Sequence, residues 1–146
     1  MDNEVVGKIM RYCAYQERCR REVTQKLREL DVMEDDREDM LLYLEEEGFL
    51  DEKRFARVFA GGKFRVKRWG KRKIFSALKM KGISETLIEE AFLSEISDED
   101  YLNTAVYLAT RYASLHKSLP PFDLRKKTWA YLTQKGFESE VIKEVL

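Results

Sequence analysis

Leu78–Phe92 reads LKMKGISETLIEEAF, and 54 residues further on Leu132–Leu146 reads LTQKGFESEVIKEVL. With Leu78 aligned on Leu132 the register holds without a gap. Lys81, Gly82, Ile83, Leu87, Ile88, Ala91 and Phe92 fall opposite Lys135, Gly136, Phe137, Val141, Ile142, Val145 and Leu146. Each copy is an apolar helical pattern, a Lys-Gly stop and a second apolar helical pattern; glycine suits the stop because it takes the left-handed conformation without a Cβ penalty. A looser copy precedes them, with Val23, Leu27, Asp31 and Val32 opposite Ile74, Leu78, Gly82 and Ile83, followed by Met40, Leu41 and Leu44. There aspartate replaces the glycine. Three units of roughly fifty residues, each with three helical patterns, predict a tandem helical repeat whose units bury their apolar faces on one another.

The expected fold is therefore all-α, three tandem three-helix repeats in an elongated, curved array, with units at 1–48, 49–96 and 97–146. No stretch sustains the period-two alternation of a strand, and the only prolines are the adjacent Pro120 and Pro121. In the first unit helices are expected near 4 to 15, 20 to 30 and 36 to 47, stopped by Gly48. In the second, Asp51 caps a helix to about Val66, another runs from about Lys71 to Lys81, and Ser84 caps a third through Leu93. In the third, Asp98 caps a helix to about Ser114, the loop LHKSLPPF follows, and helices near 123 to 135 and 138 to 146 close the chain. On the fourth helix Phe55, Val58, Phe59, Gly62 and Val66 share the expected inner face. Gly62 there either admits a close neighbour or marks a kink, and Gly61 looks outward.

Lys plus Arg equal Asp plus Glu at 27 each, so attraction to a polyanion must come from local segregation of charge. Segregation is plain: Asp31–Glu52 is acidic, with Arg37 as a lone cation between its ends, whereas Lys63–Lys81 contains no carboxylate. An aromatic content of 12% separates the chain from disordered sequences, which lack the apolar bulk to offset chain entropy. No apolar run approaches a membrane span, and MDNEVVGKIMRYC lacks the apolar core of a signal peptide, so the expected location is the cytoplasm. Cys13 and Cys19, in a reducing compartment, read as small packing residues. His116 is the single histidine, which argues against a zinc site.

Residue patterns that carry catalysis are thin. FAGGKF has glycines before a lysine, but a phosphate-binding loop needs GxxxxGK[ST] between strand and helix, and these glycines lie inside a helical pattern. Carboxylates come in runs such as Glu45–Glu47, typical of a solvated face. The Lys81-Gly82-Ile83 turn could be a DNA-reading helix-turn-helix, yet the following helix carries Glu85, Glu89 and Glu90, which phosphates repel. No catalytic, metal or cofactor site is expected. The candidate partner-binding or DNA-binding residues are Lys63, Arg65, Lys67, Arg68, Lys71, Arg72, Lys73 and Lys79. Phe64, Trp69 and Phe75 lie among them, a composition that suits either base stacking or packing.

LEEEGFLDEKRFARVF at 44–59, the basic stretch after it and WGKRKIFSALKMKGI at 69–83 together resemble the bacterial RecX family of regulatory proteins. The resemblance extends from CRREVTQKL at 19–27 to KGFESEVIKEVL at 135–146, with Gly48–Gly82 its most specific part. It implies three tandem three-helix units that bind the RecA recombinase filament on DNA and modulate it, mostly by inhibiting ATP hydrolysis, coprotease activity and strand exchange. It also implies a protein that is not itself an enzyme. The family's recurring positions map onto Asp51, Phe55, Ala56, Arg65, Gly70, Ile74, Leu78, Lys81 and Gly82. Asp31, where later repeats have glycine, and the neutral overall charge depart from the pattern. The expected partners are the RecA filament and single- or double-stranded DNA, with the chain a monomer and no membrane involved. A stand-alone nucleic-acid-binding module is the alternative, and a scaffold that docks acidic first repeat on basic second repeat is a third reading.

Overall fold

The computed structural model describes residues 2–146; Met1 lies outside the described residues. Nine α-helices follow one another, and no strand occurs among the described residues. They are α1 (Asn3–Tyr15), α2 (Arg20–Glu29), α3 (Glu34–Glu46), α4 (Glu52–Arg65), α5 (Lys71–Met80), α6 (Glu85–Glu95), α7 (Asp98–Leu115), α8 (Pro121–Lys135) and α9 (Ser139–Val145). Asp51 caps α4 by accepting from the Arg54 N–H at 3.0 Å, and Ser84 caps α6 through the Leu87 N–H at 3.3 Å. On α7 the cap is Ser97, whose hydroxyl accepts from the Asp100 N–H at 3.1 Å, and not the expected Asp98. Asp98 is instead the first helical residue, where its charge faces the positive end of the helix dipole.

The three Lys-Gly or Leu-Asp stops have one geometry. The N–H groups of Val32, Ile83 and Phe137 donate to the carbonyls of Leu27, Leu78 and Leu132 at 3.0, 3.1 and 3.0 Å, the six-to-one bond of a Schellman cap. The residue before each donor is left-handed: Asp31 at φ 61°, Gly82 at 82° and Gly136 at 104°. Asp31 thus departs in residue type but not in backbone, since aspartate tolerates this conformation better than most side chains.

Buried apolar residues form two clusters. One holds Ile9, Cys13, Val23, Leu27, Val32, Met40, Leu41, Leu44 and Leu50, the inner faces of α1–α3 and the residues that follow. The other runs through α4–α9 without a break and takes Cys19 from the α1–α2 loop. Within it Tyr101 of α7 bridges the groups either side, its ring centroid 6.0 Å from Phe64 and 5.0 Å from Phe137. Both thiols are free and buried, as expected of packing residues.

The inner face of α4 differs from its expected one. Phe55, Ala56, Ala60, Gly61 and Phe64 are buried, whereas Val58 is 54% and Val66 73% exposed. The cause is the packing of α4 on α6, the most extensive helix pair in the molecule. Small residues at Ala56, Ala60 and Gly61 let α6 come close, so the helix turns its alanines inward and leaves its valines in solvent. Gly61 is the inward glycine: a Cβ there would meet the Arg65 guanidinium and lie 3.0 Å from Glu95 Oε1. Gly62 faces open space, with nothing within 4 Å of its would-be Cβ.

Candidate nucleic-acid and partner interface

The basic segment occupies the last turn of α4, the 66–70 loop and α5. Phe64 and Ile74 anchor it in the core, and Trp69 and Phe75 are half-buried against the same cluster. Trp69 therefore packs, and both Lys63 and Lys73 lie near its ring, their Nζ atoms 4.9 and 4.6 Å from the centroid. Such contacts hold each ammonium close to the surface while leaving its charge unneutralised.

Of the eight candidate residues, only Arg65 has a carboxylate within 4.0 Å among the described residues, Glu95 Oε1 at 3.4 Å. Arg65 also donates to the Glu95 carbonyl at 3.3 Å, so it ties the end of α4 to the end of α6 over Gly61. Lys63, Lys67, Arg68, Lys71, Arg72, Lys73 and Lys79 have no such partner. Arg72 and Lys79, seven residues apart on α5, are exposed on one side of it, and Lys67 and Arg68 are exposed in the loop. Lys71 is half-buried, its Nζ 4.6 Å from the Tyr101 ring centroid. The set is brought onto the end of α4, the 66–70 loop and α5, with Arg65 committed to an internal pair.

The frame beneath is rigid because the start of α5 is completed by later helices. The Gly70 N–H donates to the Lys135 carbonyl at 2.7 Å, the Arg72 N–H to the Gly136 carbonyl at 2.9 Å, and the Lys71 N–H to the Tyr101 hydroxyl at 2.8 Å. Helix starts leave such donors orphaned unless something outside the helix accepts from them. Tyr101 in turn donates to Glu138, and burial first, then that bond, pushes its hydroxyl above a tyrosine's usual pKa range.

Lys135 was not among the expected residues, and the fold brings it into the patch. Its Nζ donates to the Lys67 carbonyl at 2.8 Å. Burial pulls its pKa below the usual lysine range, and Lys73, Arg68 and Lys67 lower it further. Arg68 itself is left-handed at φ 55°, with its guanidinium carbon 4.7 Å from the Tyr107 ring centroid. Arg111 donates to the Tyr107 hydroxyl at 3.1 Å, which lowers the Tyr107 pKa and extends the basic surface onto α7.

Among the described residues no group of three His, Cys, Asp or Glu side chains could hold a metal ion, and no helix is long and apolar enough to cross a membrane.

Family models place this surface in context. The second three-helix domain of RecX matches residues 51–91, and the third three-helix domain matches 98–146. A regulatory protein RecX from Chlorobium phaeobacteroides is 32% identical over 99% of this chain and 93% of its own length. The chain belongs to the RecX family. RecX proteins of Lactobacillus gasseri and Enterococcus faecalis are 29% and 32% identical, and the chain spans about half their length, 53% and 50%. A crystal structure of RecX from Lactobacillus salivarius superposes with a TM-score of 0.88 at 26% identity, covering 96% of this chain and 90% of that one. A second RecX crystal structure gives the same TM-score at 25% identity over 97% of this chain and 71% of that one. The two RecX domain matches meet at the contact between α5 and the α8–α9 turn, where Lys135 joins the basic loop.

Proposed function

We propose that this chain is a non-enzymatic regulator of the RecA recombinase, acting in DNA repair and the SOS response. It binds the RecA filament on DNA and modulates ATP hydrolysis, coprotease activity and strand exchange, in the direction of inhibition. Membership of the RecX family supports the partner. The observation that carries the site is the set of seven cations on the end of α4, the 66–70 loop and α5 with no carboxylate within 4.0 Å among the described residues. Unpaired like charges held on a rigid frame repel one another until a polyanion or an acidic protein surface neutralises them, and a nucleoprotein filament offers both. The working form is a cytoplasmic monomer organised in units 1–48, 49–96 and 97–146.

The test is titration of the chain into a DNA-stimulated RecA ATPase assay. Inhibition at concentrations comparable to RecA is expected, and an unchanged rate there would sink the proposal. A stand-alone nucleic-acid-binding module is the competing reading, favoured by the exposed Lys67 and Arg68. Binding to RecA filaments and to naked DNA, compared at matched salt, separates the two.

A further inference from the structure

Equivalent elements meet at the two seams between successive units, and the charges they bring together differ. With Val23 and Leu27 in register with Ile74 and Leu78, Cys19, Arg20, Arg21 and Glu22 correspond to Gly70, Lys71, Arg72 and Lys73. Lys81 and Gly82 correspond to Lys135 and Gly136. At the first seam the C-terminal turn of α5 docks on the start of α2: Arg21 donates to the Met80 carbonyl, and the Arg20 N–H donates to Glu52 of α4 at 3.0 Å. At the second seam the turn of α8 docks on the start of α5, and the Lys71 N–H donates to Tyr101 of α7. The same elements meet at both seams, through the Arg21 side chain at the first and through the Gly70 and Arg72 N–H groups at the second.

The charges differ. Lys81 Nζ lies 3.3 Å from Glu22 Oε2, an ion pair that fastens the first seam. At the second seam the glutamate position is Lys73, so Lys135 finds a lysine where Lys81 finds a carboxylate. The base of the Lys73 side chain lies against the turn, where a Cβ on Gly136 would be 2.5 Å from Lys73 Cβ, and its Nζ lies 4.6 Å from the Trp69 ring centroid. Lys135 is anchored by the Lys67 carbonyl, and Arg68 is fixed beside them by its left-handed backbone and the Tyr107 ring. Among the described residues none of the four has a carboxylate within 4.0 Å.

We infer that the seam between the second and third units binds the phosphodiester backbone of nucleic acid, with Lys67, Arg68, Lys73 and Lys135 directed at phosphate oxygens. The anion takes the place that Glu22 holds at the first seam. A chain of phosphates fits better than a small free anion, for two reasons. The nearby backbone donors of Gly70, Lys71 and Arg72 are already bound to protein acceptors, so no N–H nest remains to enclose a single phosphate. Lys67 and Arg68 are exposed, Lys63 shares the Trp69 ring with Lys73 and Arg111 shares Tyr107 with Arg68, a spread of cations that suits many weak contacts along a polymer. Placing that polymer within a RecA filament rests on the function proposed above; the contact itself does not.

The test is done without RecA, by fluorescence anisotropy of a labelled single-stranded oligonucleotide over a range of salt. Lys73→Glu rebuilds the Lys81–Glu22 pair at the second seam. It is expected to keep or raise thermal stability while weakening binding about ten-fold and reducing the log-log salt slope by about one or two. Arg68→Gly is the second variant, since glycine relieves the left-handed backbone while removing a cation; it should stay folded and also weaken binding. Arg11→Glu on α1 is the control for net charge and should bind as the parent does. Parent affinity and slope retained in both seam variants, no binding by the parent, or an equal loss in Arg11→Glu each overturns the inference. Inorganic phosphate is titrated in parallel by calorimetry, and a seam that takes phosphate but no oligonucleotide overturns the assignment to a nucleic-acid backbone. If the seam variants lose DNA affinity while the parent leaves RecA unaffected, the seam stands and the RecA proposal falls.

Discussion

Gly70 and Gly136 meet backbone to backbone: a Cβ on Gly70 would fall inside the van der Waals envelope of the Gly136 carbonyl, beside the 2.7 Å bond from the Gly70 N–H to Lys135. Gly70→Ala must therefore push the α8–α9 turn away and lose the bonds that close the start of α5. A loss of about 2 kcal/mol or more is expected, in the range of overpacking combined with broken hydrogen bonds. Gly62→Ala, with open space around it inside a helix, should instead gain roughly 0.5–1 kcal/mol. Urea unfolding of the two variants checks both signs.

The shared turn geometry makes a second pair of opposite outcomes. Gly82→Ala puts a Cβ on a residue at φ 82° and should cost about 1–2 kcal/mol. Asp31→Gly removes a side chain from φ 61° and should gain a few tenths to about 1 kcal/mol, reduced by the greater freedom of glycine in the unfolded chain. Thermal melts that rank Asp31→Gly below the parent would contradict the assigned conformation.

Tyr101 links α7, α5 and α9 through one hydroxyl. Tyr101→Phe leaves the Lys71 N–H without its acceptor and Glu138 without its donor, at a cost of about 1–3 kcal/mol. Its raised pKa also sets a pH window. An unfolded tyrosine ionises near pH 10 and this one only at higher pH, so its contribution is whole below about pH 10 and is lost as pH rises toward the folded value. Alkaline unfolding curves of parent and Tyr101→Phe should therefore converge above about pH 10.

Exposed cations without partners can be reversed at little structural expense. Arg72→Glu combined with Lys79→Glu should change stability by no more than about 0.5 kcal/mol and abolish the effect on RecA ATPase. Arg65→Ala should behave otherwise, losing roughly 0.5–1 kcal/mol with its half-exposed Glu95 pair. An unaltered inhibition curve for the double reversal would move the partner surface off α5.

Cys13 and Cys19 lie in different clusters, both buried, with burial raising both thiol pKa values. A thiol reagent should label neither in the native protein within the time that labels both in urea. Rapid native labelling would show that the α1–α2 loop opens.

The repeat was legible because its signal is local: a Lys-Gly stop between apolar helical patterns, spaced evenly enough that Leu78 and Leu132 announce each other. The face of α4 was not legible. Val58 and Val66 have the bulk that usually marks a core, but α4 packs closely on α6 and buries the small Ala56, Ala60 and Gly61 between Phe55 and Phe64 instead. Lys135 was missed for another reason. It lies far along the chain from the basic loop, and only reading Glu22 against Lys73 and Lys81 against Lys135 in the repeat register exposes the exchange of an ion pair for two cations.

The closure of α5 by the third unit also has a consequence in time. A chain is made from its N-terminus, so the Gly70–Arg72 donors emerge well before Lys135 and Gly136, which accept from two of them. For a gap of roughly 65 residues at ~5–20 residues per second, that is roughly three to thirteen seconds. A helix turn forms in about a microsecond or less. During synthesis the basic loop therefore exists as a nascent element whose final shape is set only when the turn that fastens it has been made.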